Sequence, residues 1–237
     1  MAIDRRTRRL PLHEEVMLLA LRNDRGTMAG GVMFAQAAGG AMLAELLLQG
    51  RLKAVTEGRS TRVELVDRTS TGDALLDEAL EKVAAAADAG RRARAVTWVQ
   101  RFARMRGLRH RVAERLVDRG ILRADEATIL LFFTRRIYPE LDPTAERRIV
   151  ERLDAAIFSD ASDVDPRTTV LVALAFHTGL LKANLDRARL KARRTRIRAI
   201  IDGNVAGSAT KAAVEAVQVA VLVAATMPAV VAATHTH

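Results

Sequence analysis

The sequence predicts a mainly α-helical, single compact domain carrying two small β-hairpins. Three observations lead there. Apolar residues recur at three- and four-residue spacing through most of the chain, the pattern of helices with one face turned to a core. Glycine and proline are sparse, 14 and 5 in 237 residues, and most stand where those periodic runs stop. Strict apolar–polar alternation, the mark of a half-buried strand, is confined to two short stretches. No internal repeat and no linker-like composition divides the chain. With 49% hydrophobic residues there is ample material for one core.

Residues 1–9 read as a basic arm bearing Arg5, Arg6, Arg8 and Arg9, and residues 10–226 as the helical domain. Leu12, Val16 and Leu19 keep helical spacing up to a turn at Asn23 to Gly26. Ala35 to Gln49 is a second, strongly apolar helix, closed by Gly50. Gly30-Gly31 reads as a loop and Gly39-Gly40 as a close helix contact. Leu52 and Ala54, then Val63 and Leu65, alternate with polar residues around Glu57-Gly58-Arg59, which predicts the first hairpin. Thr71-Gly72-Asp73 caps a helix with Leu76, Leu80 and Val83 on one face, ending by Gly90. Trp98 and Phe102 stand one turn apart in a short helix. Leu108, Val112 and Leu116 form the stripe of the next, closed by Gly120.

The apolar run Ile129 to Phe133, followed by Thr134-Arg135-Arg136 and Ile137-Tyr138-Pro139, predicts the second hairpin. Beyond Pro143 every segment reads as helical: Ile149, Leu153 and Ile157 on one helix, Val170 to Phe176 on another, then Leu185 to Ile201 and a final apolar segment. That last segment, Ala212 to Ala233, carries Glu215 and Gln218 near its start. It keeps only about 15 apolar residues after them, short of the roughly 20 a membrane span needs, so a buried terminal helix is expected. Residues 227–237 are a C-terminal tail.

Composition excludes several chemistries. There is no cysteine, hence no disulfide framework, thiolate nucleophile or Cys-ligated metal. The basic start runs into Glu14 and Glu15 instead of an apolar stretch, so a secretory signal is not expected and a cytoplasmic location is. The excess of arginine over lysine, with much Ala and Val, suggests a GC-rich bacterial genome. His13, His110, His177, His235 and His237 lack metal-ligand spacing, so no metal is expected. Gly203 to Lys211, GNVAGSATK, misses the phosphate-loop pattern. The acid pairs Glu14/Glu15, Asp77/Glu78 and Glu146/Glu151 lie on helices beside basic residues and read as solvated ion pairs. No nucleophile stands with a base, so neither enzymatic activity nor a cofactor is expected.

The basic residues are more informative, for Lys+Arg 38 against Asp+Glu 28 gives a net charge of +10 and a pI near 11.1. Arg101, Arg104, Arg106, Arg109, Arg111 and Arg115 crowd fifteen residues with only Glu114 opposing them. With Leu108, Val112 and Leu116 turned inward, Arg106 and Arg109 fall along one edge of the buried stripe and Arg111 along the other. Two guanidinium groups at a helix start suit a phosphate. Gly107 between them indicates that the helix begins after Arg106. A second cluster, Arg187 to Arg198, faces anionic lipid, nucleic acid or water. The helix Leu108 to Arg119 with the hairpin after it also permits an alternative reading, a winged-helix nucleic-acid-binding protein. The apolar run at 129–133 is a poor wing for phosphates.

Seven segments in order resemble the Golgi phosphoprotein 3 family: LPLHEEVMLLAL (Leu10 to Leu21), LAELLLQGRL (Leu43 to Leu52), TGDALLDEAL (Thr71 to Leu80), VAERLVDRGIL (Val112 to Leu122), ILLFFTRRIYP (Ile129 to Pro139), VLVALAFHTGLL (Val170 to Leu181) and RIRAIID (Arg196 to Asp202). The resemblance implies a mostly helical, non-catalytic domain that docks on membranes through phosphatidylinositol 4-phosphate. In eukaryotic members it also implies a grip on cytosolic tails of Golgi glycosyltransferases, and the sequence names no protein partner here. The family's lipid pocket uses a tryptophan and three arginines. By alignment on these blocks, two of those arginines fall on Arg106 and Arg109, while the tryptophan and the remaining arginine fall on Gly30 and Gly39. Trp98 matches a different, core-facing tryptophan. Leu130, Leu131, Phe132 and Phe133 match the family's apolar hairpin, which implies contact with the bilayer or a homo-oligomer. The expectation is a peripheral membrane protein binding anionic lipid, with Arg106, Arg109 and Arg111 as the phosphate-binding residues.

Overall fold

A computed structural model describes residues 9–22, 25–58, 60–129, 133–204, 215–216 and 218–219. Its axis is α1 (Leu12–Ala20), whose nine residues are all buried, His13, Glu14 and Glu15 included. Around α1 stand α2 (Phe34–Leu48), α5 (Leu108–Asp118), α6 (Thr144–Phe158), α7 (Pro166–His177) and α8 (Leu180–Asn184). A helix enclosed on every side needs apolar residues all round, as VMLLA supplies, and internal partners for any polar group it carries.

The second layer is α3 (Ala74–Asp88) and α4 (Ala95–Ala103), packed on α2, with α9 (Arg187–Ala192) and α10 (Arg194–Ile201) flanking α6–α8. The predicted stripes face the core: Leu76, Leu80 and Val83 on α3; Trp98 and Phe102 on α4, with ring centroids 5.9 Å apart; and Leu108, Val112 and Leu116 on α5. Asp73 caps α3, its carboxylate accepting from the backbone N–H groups of Leu75 and Leu76.

Helices α2 and α4 approach closely because Gly39 sits between them. A Cβ built there would lie 2.5 Å from the Val99 carbonyl oxygen and 2.9 Å from the Ala103 nitrogen. The sequence-based reading of this glycine as a packing contact therefore holds.

Three antiparallel two-stranded ladders complete the described residues. The pair β3 (Leu52–Glu57) and β4 (Ser60–Leu65) is the first predicted hairpin, in register from Leu52 opposite Leu65 to Glu57 opposite Ser60. A small ladder that the sequence showed only as a turn joins β1 (Leu21–Arg22) to β2 (Thr27–Met28). The second predicted hairpin is shifted. Its strands are β5 (Asp125–Ile129) and β6 (Phe133–Ile137), paired from Asp125 opposite Ile137 to Ile129 opposite Phe133. Thr134-Arg135-Arg136 thus lies within a strand, with Ile129 closing β5 and Phe133 opening β6. Leu130, Leu131 and Phe132 lie outside the described residues.

The helix expected over Leu185 to Ile201 is two helices. Asp186 accepts from the Arg189 N–H at 2.8 Å and so starts α9 anew. Arg193 then breaks the run, its Nη2 donating to the carbonyls of Phe158 and Ser159 at the end of α6. Of the final apolar segment, Ala216 and Val219 are buried, and the Glu215 carboxylate accepts from the Ala54 N–H at 2.7 Å. Among the described residues no helix is long and apolar enough to cross a membrane.

Candidate functional site

The first turn of α5 is set by Gly107, which caps the helix at φ +66°, a left-handed conformation that favours glycine. Arg106 therefore precedes the helix and is exposed, whereas Arg109 lies in its first turn. Leu108 and Val112 anchor the turn in the core, so Arg109 is held against the protein and its guanidinium is partly enclosed. Its Nε and Nη2 atoms are buried and make no hydrogen bond with a described residue. Burial, and then the like charge of Arg135 on β6, push its pKa below the usual arginine range. Tyr138 also interacts with it, and is itself buried with its hydroxyl 3.0 Å from Nδ1 of His110.

The other α5 cations face inward or sideways to acids. Arg111 Nη1 lies 2.7 Å from Glu78 Oε2, and Glu78 also pairs with Lys82 at 3.3 Å. Arg115 bridges Glu14 at 3.1 Å and Asp73 at 2.8 Å, and Arg119 reaches Glu14 at 2.9 Å. A reading helix for DNA would need these side chains free, so the geometry removes the main support for the nucleic-acid alternative. The structure thus separates the three predicted phosphate ligands: Arg106 and Arg109 flank Gly107 without acidic partners among the described residues, and Arg111 is held by Glu78.

Residues 12–217 match the sequence profile of Golgi phosphoprotein 3 (GPP34). The chain belongs to the Golgi phosphoprotein 3 family. It is 27% identical over 210 residues to "Vacuolar protein sorting-associated protein 74" of Schizosaccharomyces pombe, covering 75% of this chain and 61% of that protein. It is 29% identical over 163 residues to the protein of the same name from Eremothecium gossypii, covering 61% of this chain and 48% of that one. The chain thus spans about half to three-fifths of the length of these relatives.

The two glycines that the resemblance aligns with the family's pocket differ in kind. A Cβ at Gly30 would meet nothing within 4 Å, whereas one at Gly39 would enter the α4 backbone. The missing tryptophan leaves room, and the missing arginine has had its room closed by helix packing.

Sequence reasoning missed a buried ion network behind this site, and the reading of Glu14 and Glu15 as solvated is corrected by it. Both carboxylates are enclosed by arginines distant in sequence: Glu14 by Arg115 and Arg119, and Glu15 by Arg152 at 2.7 Å, with Arg167 at 4.0 Å. Glu146 of the third acid pair is buried as well. Glu45 on α2 accepts from the Leu12 N–H at the start of α1 and from Arg167 Nη1 at 2.9 Å. The sequence signal was the absence of any polar face on α1 beyond its first turn. His13, Glu14 and Asp73 cluster closely enough to hold a cation, but Arg115 and Arg119 already neutralise those carboxylates.

This network makes stability acid-sensitive. Burial raises the Asp73 pKa, but the hydrogen bond and charge of His13 and the charge of Arg115 outweigh it and bring the carboxyl from 3.8 down to about 2. Glu45 is lowered in the same sense, Arg167 overcoming its burial. A depressed folded-state pKa stabilises above the unfolded value, and that stability is lost as pH falls through the folded one. The urea midpoint should hold steady down to about pH 5 and fall between roughly pH 4 and 2, with Asp73→Asn showing a smaller fall. An identical acid profile in Asp73→Asn would contradict this assignment.

Proposed function

We propose that this chain is a non-enzymatic peripheral membrane protein of the cytoplasmic face that holds the phosphate of an anionic lipid headgroup between Arg109 and Arg106. The observation that carries the reading is the Arg109 guanidinium, partly enclosed, lacking any hydrogen-bond partner for Nε and Nη2, and set beside the like charge of Arg135. A cation desolvated without a counter-charge is costly, and a phosphate oxygen would supply the missing acceptor and offset the repulsion. Arg111, held by Glu78, adds to the local field and not to the contact. With Gly30 and Gly39 in place of a ring and a guanidinium, the pocket has fewer groups with which to recognise an inositol. Binding to phosphatidylinositol 4-phosphate is accordingly weak, and other anionic lipids bind comparably. Leu130, Leu131, Phe132 and Phe133 enter the bilayer or meet a second copy of the chain.

The test is sedimentation with vesicles carrying phosphatidylinositol 4-phosphate or phosphatidylserine at matched surface charge. A charge-assisted hydrogen bond is worth roughly 1.5–3 kcal/mol, so Arg106→Ala/Arg109→Ala should weaken binding by about one to two decades. Arg91→Ala/Arg92→Ala removes the same charge elsewhere and should cost only a few-fold. Equal losses in the two double variants would refute the site.

A further inference from the structure

A second set of cations shares no charged residue with the α5 site. A cavity of about 680 Å³ lies between β1, the start of α6, α8 and the start of α9. Arg22, Arg147, Lys182 and Arg187 converge on it from those four elements. None of their side chains makes a hydrogen bond or ion pair with a described residue. Exposed arginines elsewhere do find partners, as Arg136 does in Glu114 at 3.1 Å and Arg189 in Asp154 at 3.2 Å. Two carboxylates also line the cavity. Glu146 interacts with the carboxyl of Glu140, whose pKa burial raises. Glu146 and Glu151 together stand against four cations.

A second recess borders the cleft. A groove of about 360 Å³ shares Lys182 and Arg187 with it and has Phe176, Leu181, Leu190 and Ile197 as its apolar floor. Lys191 and Arg194 continue the cationic rim. A free phosphate would use only the cleft, and a neutral apolar molecule only the groove. Adjacency across two shared cations fits a molecule that is anionic at one end and aliphatic at the other, with phosphate oxygens against guanidinium and ammonium groups and a chain on the apolar floor.

We propose that cleft and groove together form one binding site for a single-chain lipid with a phosphomonoester headgroup. The site is independent of Arg106 and Arg109, so either reading can fail without the other. Each methylene buried in the groove should tighten binding about fourfold, so the chain and not the phosphate alone sets the affinity.

The experiment is calorimetric titration of the full chain with lysophosphatidic acid below its micellar concentration. Glycerol 3-phosphate and lysophosphatidylcholine of the same chain length are the comparison ligands. Lysophosphatidic acid should bind at least about tenfold tighter than either. Arg147→Glu/Lys182→Glu, both exposed positions, should lose at least about tenfold, with Arg147→Ala/Lys182→Ala as the milder variant should the first not fold. Arg106→Ala/Arg109→Ala should bind it unchanged. Equal affinity for glycerol 3-phosphate would overturn the role of the groove, and equal affinity for lysophosphatidylcholine that of the cations. Unaltered binding in the cleft variants, or its loss in the α5 variant, would overturn the site.

Discussion

Replacing Arg167 by alanine is expected to destabilise the fold by about 3–5 kcal/mol, the loss typical when one partner of a buried ion pair is removed. Arg167 joins three elements. Its Nη1 lies 2.8 Å from Glu45 Oε2, its Nη2 donates to the Leu10 carbonyl at 2.6 Å, and its Nε approaches Glu15. Without it, Glu45 keeps its burial and its bond from the Leu12 N–H but loses the charge that holds its pKa down. Burial then raises that carboxyl above the ordinary value, so the uncharged form is favoured in the folded state. A raised folded-state pKa adds stability at low pH, so the deficit of the variant should narrow as pH falls from 7 toward 5. Urea unfolding at both values reads both effects. A deficit under about 1 kcal/mol would show that the pair is solvated. Replacing the pair together, Glu45→Gln with Arg167→Met, should recover much of the loss, since it leaves no unpaired charge.

Gly39→Ala should also destabilise, by about 1–3 kcal/mol, although alanine is the better helix former by roughly 1 kcal/mol. The added methyl would stand 2.5 Å from the Val99 carbonyl oxygen, and backbone cannot swing aside as a flexible side chain would. Helices α2 and α4 would have to part, loosening Trp98 and Phe102. Gly39→Arg, which puts a guanidinium at the position the resemblance gives to an arginine, should be worse still, whereas Gly30→Trp adds its Cβ in open space and should be tolerated. Thermal melts of the three variants test the ordering. A Gly39→Ala protein as stable as the parent would mean that the two helices are not in close contact.

What was legible in the sequence was local. The stripe Leu108, Val112, Leu116, the Asp73 cap and the stop at Gly120 each follow from spacing and turn chemistry within a few residues, and each stands where expected. The placement of Arg106 just outside α5 followed from Gly107. The partners of Glu14 and Glu15 were not legible, because Arg115, Arg119, Arg152 and Arg167 lie more than a hundred residues away. An acid beside an arginine on a helix looks the same whether water or protein surrounds it. The β5–β6 register failed for a related reason. Asp125 to Thr128 shows no alternation, since Asp125 and Glu126 are exposed, and the only strong apolar signal nearby is the run at 129–133. Arg135, the like charge that isolates Arg109, comes from that same hairpin and was equally hidden.

The clamping of α5 bears on how the α5 site would meet a ligand. Arg115 and Arg119 lock the later turns of α5 to α1 and α3, so this helix can neither roll nor slide without tearing charges out of the interior. Arg109, one and a half turns earlier, inherits that fixed bearing. Much of the ordering that a flexible surface arginine would undergo at the moment of contact is completed during folding, and the entropic penalty of association shrinks accordingly. The same carboxylates that make the protein sensitive to acid thus act as a jig that holds its candidate anion contact ready.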